Sequence, residues 1–295
     1  MYLVTGTNGF LGRILVDTLG QPCQSLSRTN AQHNIDLATE VPSFAVAPEV
    51  VVHAAGKAHS VPKTSEEARA FFDVNLTGTQ NLVKGLENAL SLPKAFIFIS
   101  TVAVYGRDMG TDISETQPLQ GDSPYAQSKR QAEDFLQTWG RKTGVRVGIL
   151  RLPLVVGPNP PGNLGTMIHG IKTSRYIRIG SGATRKSVVL AADIATVLPV
   201  LAERGGVYNL TDGQPPSFAE LEEVICRQLG RPLPKALPLP IAKLLGKVGD
   251  VIGERSPVNS ATIEKMTTDL TFDDSKARKT LGWQPRKAID YLEVS

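Results

Sequence analysis

Tyr2-Leu3-Val4-Thr5-Gly6-Thr7-Asn8-Gly9-Phe10-Leu11-Gly12 is the stretch from which the fold is read. A short apolar run leads into a turn with glycine at every third position. Residues 13–19 then continue a segment whose Leu11, Ile14, Leu15 and Leu19 share one helical face. The order is therefore strand, turn, helix. Gly6 permits a tight turn, Gly9 lets the backbone approach a pyrophosphate, and Gly12 lets the helix pack closely on the strand. Phosphates held there face the first N–H groups of the helix. The spacing is Gly-x-x-Gly-x-x-Gly, not the Gly-x-Gly-x-x-Gly of ordinary dehydrogenases.

A second stretch, Tyr125-Ala126-Gln127-Ser128-Lys129, follows the polar Ser123-Pro124 and opens a helical pattern. Positions i and i+4 lie on one helical face, so the Tyr125 phenol and the Lys129 ammonium can converge. An ammonium beside a phenol is expected to lower its pKa from about 10. That suits a general acid/base at a carbonyl or alcohol carbon.

Composition sets the limits. The chain has 295 residues, 41% of them apolar, and a net charge of +4. Apolar runs at 2–4, 50–55, 95–99 and 147–151 alternate with helical patterns, which predicts an α/β fold with a parallel sheet covered on both faces. Arg146–Leu150 and Gly206–Leu210 read as further strands of that sheet. No apolar run approaches the ~20 residues of a membrane span, and the chain enters a strand at once, so neither an integral membrane segment nor a signal peptide is expected. Cys23 and Cys226 lack metal-ligand spacing and read as reduced thiols of a cytoplasmic protein, and the four histidines form no ligand pair. No metal is expected. The basic residues are dispersed, which argues against nucleic acid and suits a phosphate-bearing small molecule. The most basic stretch, residues 234–247, is expected to pack Ile241, Leu244 and Leu245 over the rest of the chain; a peripheral membrane helix is the alternative.

The glycine turn and the Tyr125/Lys129 pair together resemble the extended short-chain dehydrogenase/reductase family, in its NAD-dependent epimerase/dehydratase branch. Further segments carry the resemblance: Val51-Val52-His53-Ala54-Ala55-Gly56, Asp73-Val74-Asn75, Phe98-Ile99-Ser100-Thr101 with Val104-Tyr105-Gly106, Leu150-Arg151-Leu152-Pro153-Leu154, and the region from Leu270 to Pro285. The resemblance implies a Rossmann-type doubly wound sheet over residues 1–156 and a smaller substrate-binding lobe over 157–295 that returns strands to the sheet. It implies Thr101, Tyr125 and Lys129 as the catalytic set. It implies cofactor contacts from Gly6, Asn8, Gly9, Phe10, Leu11, Gly12, Ser27 and Arg28. Asp36, Leu37, His53, Ala54, Ala55, Gly56, Asn75, Ser100 and Pro153 complete that set with Tyr125 and Lys129. Substrate contacts are expected from Lys57, Thr101, Leu154, Asn163 and one of Arg185 and Lys186 as a diphosphate clamp. A homodimer is compatible with this reading.

The second strand, Cys23-Gln24-Ser25-Leu26-Ser27-Arg28, ends without the acid that would accept ribose hydroxyls and repel a 2′-phosphate. NADP is therefore expected to be taken at least as well as NAD, with Arg28 pairing to the extra phosphate. Leu154 stands where many relatives carry a substrate-binding Asn, and Val102-Ala103 follow Thr101 where dehydratases carry acids, which disfavours dehydration. Reduction of a 4-keto nucleotide sugar is the leading expectation. A 4-epimerase with retained NAD, a ketone reductase on a non-sugar substrate and a non-catalytic dinucleotide sensor are the alternatives.

Overall fold

The computed structural model describes residues 1–20, 22–58, 60–252 and 259–294. Its strands are Tyr2–Thr5 (β1), Cys23–Ser27 (β2), His33–Asn34 (β3), Val50–His53 (β4), Ala95–Thr101 (β5), Gly110–Ile113 (β6) and Arg146–Leu152 (β7). Leu154–Val156 (β8), Arg178–Ile179 (β9), Val188–Leu190 (β10), Gly206–Asn209 (β11), Ala236–Leu237 (β12) and Leu270–Phe272 (β13) follow. The helices are Phe10–Thr18 (α1), Ser65–Phe72 (α2), Gly78–Glu87 (α3), Pro124–Thr143 (α4) and Gly162–Lys172 (α5). Ala191–Arg204 (α6), Phe218–Leu229 (α7), Leu239–Ile252 (α8), Ser260–Thr267 (α9) and Ser275–Leu281 (α10) complete them.

Seven strands form one parallel sheet in the order β11-β7-β5-β4-β1-β2-β3. All four residues of β4 and the first six of β5 are buried, as expected of strands covered on both faces. On one face, Leu15 of α1 and Ile194, Leu198 and Leu201 of α6 pack with Trp283. On the other, Leu82 and Leu86 of α3 and Leu136 and Trp139 of α4 pack on Phe96 and Phe98. Chain order reverses between β1 and β4, so a crevice opens at the C-terminal ends of these two strands, where doubly wound sheets bind ligands.

The break at residue 156 is not a break in the sheet. β11 is its edge strand, and α6 and α10 cover one face, so much of the later chain belongs to the sheet layers. The remaining elements build a second cluster, with Leu164, Met167 and Ile171 of α5 against Leu221 and Ile225 of α7. Parallel strand pairs β8–β10, β9–β12 and β6–β13 tie this part together.

The expected packing of Ile241, Leu244 and Leu245 is overturned. These side chains are 48%, 62% and 49% exposed, and the buried seam of α8 is Ala242, Gly246 and Gly249. Glycine permits the close approach: a Cβ on Gly246 would lie 3.2 Å from the Ser260 backbone. The small residues dock the helix and leave its large ones outside.

Candidate functional site: a dinucleotide crevice and an acid/base centre

The turn after β1 explains two of its three glycines without a ligand. Gly6 has φ +71°, and a Cβ there would lie 2.7 Å from the Ala55 backbone. A Cβ on Gly12 would lie 2.1 Å from the Gly6 carbonyl oxygen. Gly9 differs. It is exposed, its backbone is extended (φ −78°, ψ 168°), and a Cβ there would meet only the Gly6 oxygen, at 3.1 Å. The fold itself therefore demands glycine less at this position than at Gly6 or Gly12. Gly9 is also the N-cap of α1, a helix with no side-chain cap and no acidic residue in its first turn. The Thr7 hydroxyl is buried there without a hydrogen-bond partner. A cradle that a side chain would fill, an uncapped helix start and an orphaned hydroxyl fit the pyrophosphate of a dinucleotide.

Around the turn, Asn8 donates to the Thr29 carbonyl and so ties the loop to the end of β2. Ser27 is half-buried and Arg28 exposed at that strand end. The Asp36 carboxylate accepts from the Ala38 amide at 3.0 Å. The Leu37 side chain lies in the core, where it packs with Phe44 and Leu82; only its backbone and the neighbouring Asp36 remain available to a ligand.

His53 is fully buried rather than lining the crevice. Its Nδ1 is 2.7 Å from the Thr5 hydroxyl and its Nε2 3.0 Å from the Thr79 hydroxyl. Loss of water, with the charge of Lys129 adding to it, lowers its pKa to about 3. It is a neutral structural residue behind the loop. Ala54, Ala55 and Gly56 continue β4 toward the surface, and Lys57 is half-buried with its ammonium 5.5 Å from the Phe71 ring centre.

Asn75 sits in a π-helical turn, Asp73–Thr77, inserted between α2 and α3. Its side chain accepts from the Lys57 amide at 2.7 Å and donates to the Lys57 carbonyl at 3.0 Å and the Ser128 hydroxyl at 2.9 Å. It thus fastens the loop after β4 to α4.

Helix α4 starts with Ser123 accepting from the Ala126 amide and Pro124 in the first turn. Tyr125, one residue further, is half-buried, with its ring 5.9 Å from that of Phe71. Burial raises its phenol pKa, and the nearby Thr101 hydroxyl pulls the other way. Thr101 ends β5 and accepts from the Ala103 amide. The structure thus brings Tyr125 and Thr101 together at the sheet edge.

Lys129 is 5% exposed, and its Nζ lies 4.0 Å from the Phe98 ring centre. A Cβ on Gly56 would lie 3.7 Å from that Nζ. Loss of water lowers the Lys129 pKa to about 7 against the opposing pull of the Glu133 carboxylate. The expected lowering of the phenol by this ammonium is not what the structure shows: burial dominates Tyr125, and Lys129 is not among the causes of its shift.

Ser100 is also corrected. It is buried and donates to Glu133, so it points under the site and not into it. Glu133 is fully buried and paired with Arg151, whose Nη2 donates to it at 2.6 Å. Arg151 Nη1 donates to the Tyr105 hydroxyl at 3.1 Å, which donates to Asn209 at 2.7 Å. The sequence reading missed this network, although a charge on the buried face of α4 and an arginine inside an apolar strand were visible signals.

Pro153, expected at the cofactor, and Leu154, expected at the substrate, lie half-buried where β7 passes into β8; Asn163, another expected substrate contact, is exposed in the first turn of α5. Arg185 is exposed, with Nη1 2.7 Å from the Pro215 carbonyl and 3.4 Å from Glu220. The Lys186 ammonium donates to the Lys265 and Thr268 carbonyls at 3.0 and 2.9 Å. It holds the end of α9 and is not presented as a clamp.

Two expectations follow from this geometry. Gly9→Val should fold with nearly the wild-type melting temperature yet lose dinucleotide binding in a titration, whereas Gly12→Val should lose stability outright. A folded Gly9→Val protein with unchanged affinity would refute the cradle. For Lys129, the folded value of about 7 lies below that of an unfolded lysine, about 10.4. Between these values the unfolded chain binds more protons, so this group's contribution to stability rises with pH. Lys129→Met should therefore melt several degrees above wild type at pH 7, with the gap narrowing toward pH 10, while its dinucleotide affinity falls. A variant no more stable at pH 7 would show that the lysine is not held at a cost.

The sequence model of the NAD dependent epimerase/dehydratase family matches residues 2–211. The UDP-glucose 4-epimerase of Vibrio cholerae is 27% identical over 311 residues, covering 97% of this chain and 91% of its own. The N-acetyl-alpha-D-glucosaminyl-diphospho-ditrans,octacis-undecaprenol 4-epimerase of Escherichia coli O157:H7 is 28% identical, covering 78% and 71%. RMD from Pseudomonas aeruginosa, solved with NADPH, superposes with a TM-score of 0.74 at 22% identity over 98% of this chain and 95% of that one. The matched region holds the glycine turn, the Asn75 turn and the Thr101–Tyr125–Lys129 centre, and the chain belongs to the NAD dependent epimerase/dehydratase family.

Proposed function

We propose that this chain reduces the C4 carbonyl of a sugar carried on a diphosphate, drawing on exchangeable NADPH. The observation that carries the reading is the Tyr125 phenol of α4 set against the Thr101 hydroxyl at the end of β5, with Lys129 one turn further along α4 and its Nζ beside Gly56, in the loop whose Ala55 backbone touches the phosphate turn at Gly6. Gly6, Gly9, Gly12 and the first turn of α1 hold the dinucleotide's phosphates, and the loop of Ala54–Gly56 with Lys129 lies along its path. When bound, the dinucleotide supplies the hydride. The protein's own part is proton transfer and positioning. Thr101 orients the substrate oxygen by hydrogen bonding, and Tyr125 delivers a proton to that oxygen as the carbonyl becomes an alcohol. Lys129 carries the charge of the centre.

Support for reduction over epimerisation lies at the end of β2. Ser27 and Arg28 stand there without a carboxylate, which favours a 2′-phosphate and an exchanged cofactor. Epimerisation is the second reading, favoured by the names of both relatives, which are 4-epimerases. The second of those names also extends the substrate class from a nucleotide to a polyprenol as the group beyond the diphosphate.

Tyr125→Phe is expected to bind the dinucleotide normally while turnover falls about 10²-fold or more. Near-wild-type turnover on the true substrate would remove Tyr125 from the mechanism. Arg28→Ala should weaken NADPH binding selectively, measured against NADH in parallel titrations. Tightly bound NAD that accompanies the purified protein, with no measurable NADPH affinity, would put the epimerase first.

A further inference from the structure

Helix α8 carries six large apolar side chains on its outside. Ile241, Leu244, Leu245, Val248, Val251 and Ile252 are between 48% and 89% exposed. From Ile241 they recur at i+3, i+4, i+7, i+10 and i+11, which places them in one stripe of a 3.6-residue helix. The stripe does not belong to the core. The helix docks through Ala242, Gly246 and Gly249, about a third of a turn away, against the start of α9. Exposed Ile177 and Leu233, beside the paired strands β9 and β12, add to the apolar surface of this end of the molecule.

Charge is distributed on the flank. Arg231, Lys235, Lys243 and Lys247 are exposed. The one acidic residue of α8, Asp250, is exposed on the same flank, three residues after Lys247, and accepts from the Ser260 amide at 2.9 Å, which leaves the flank net positive. The helix therefore has three faces: a small-residue seam on the protein, an apolar stripe, and a cationic edge. A cationic edge beside an apolar stripe matches the headgroup and acyl layers of an anionic bilayer. A second copy of the chain is a poorer match. A single helix face of roughly 20 by 10 Å offers on the order of 200 Å², against about 800 Å² per partner in a stable complex.

We propose that α8 is a docking surface for anionic membrane, which holds the substrate lobe against the lipid headgroups. The helix lies in the plane of the interface with its stripe in the acyl boundary. Lys243 and Lys247 reach to the phosphates, their stems over apolar surface. Among the described residues no helix is long and apolar enough to cross a membrane, so attachment of this kind is peripheral. The inference does not depend on the reaction proposed above.

The test is flotation of the full chain with vesicles of phosphatidylcholine alone and of equimolar phosphatidylcholine and phosphatidylglycerol. Wild type is expected to float with the anionic vesicles and far less with the neutral ones. Leu244→Glu/Val248→Glu should cut the bound fraction about tenfold or more. Lys243→Glu/Lys247→Glu should do so on anionic vesicles through charge alone. Both pairs lie outside the docking seam, so melting temperature is expected to stay at the wild-type value, and a drop would be read from the second variant instead. Absence of flotation with either vesicle overturns the proposal, as does equal flotation of wild type and both variants. So does a dimer that ignores vesicles and is dissolved by Leu244→Glu/Val248→Glu, which would assign the stripe to a second copy.

Discussion

The direction of one buried chain of hydrogen bonds fixes the site. The Thr5 hydroxyl accepts from the Ala55 amide at 3.1 Å and lies 2.7 Å from His53 Nδ1. At the other end, the Thr79 hydroxyl donates to the Asn75 carbonyl at 2.6 Å, so it accepts from His53 Nε2. The imidazole is thereby held neutral with its proton on Nε2, in keeping with a pKa near 3. Every polar atom in the series is satisfied inside the protein, where an unmatched one would cost about 1–3 kcal/mol. The series runs from the residue before Gly6, through the end of β4, to the turn that aims Asn75. Since Asn75 grips both the Lys57 backbone and Ser128 of α4, the phosphate turn, the loop after β4 and the helix of Tyr125 share one frame.

A second polar layer sets the height of that helix over the sheet. Glu133 lies one turn after Lys129 and two after Tyr125 on the buried face, and Arg151 meets it from the C-terminal end of β7. Arg151 then reaches the hydroxyl of Tyr105, which continues to Asn209 in β11. Removing one partner of such a pair strands a charge in the core, at a cost of about 3–5 kcal/mol. The same carboxylate raises the pKa of Lys129 against the effect of burial. One residue thus anchors α4 and supports the charge that the centre uses.

The legible and illegible parts of this sequence divide along physical lines. The order of strand, turn and helix at residues 2–19 could be read because glycine spacing and apolar period are local properties. Tyr125 and Lys129 could be read because four residues on a helix fix their common face. His53, Ser100 and Leu37 are expected as cofactor contacts from the resemblance of their segments, and the structure turns each side chain inward. The direction of a side chain at a strand end depends on what packs behind it, such as Thr79 for His53 or Glu133 for Ser100. Lys186 shows the same limit, since the carbonyls that hold it come from residues 265 and 268, 79 and 82 positions away. The face of α8 inverted for a different reason. Its Gly246 and Gly249 with Ala242 make the side that approaches α9 closely, and a seam of such small residues does not show in the apolar periodicity.

The later part of the chain is held by direction more than by area. Its strands β8 to β10, β12 and β13 have two or three residues each, too few to fix a register through ladder hydrogen bonds alone. Ion pairs stand at the junctions instead. Glu222 of α7 is fully buried between Arg178 of β9 and the Tyr176 hydroxyl. Asp193 at the start of α6 takes the Arg286 side chain and backbone together, at 2.7 Å each. Asp212 after β11 accepts from the Ala288 and Gln214 amides. A hydrophobic contact tolerates a shift of an ångström, but a carboxylate receiving two defined donors does not. These contacts place β9, β10 and the segment after Trp283 relative to the sheet. The placement of these short elements is therefore set by a few oriented charges, while the sheet beneath them is set by its ladders.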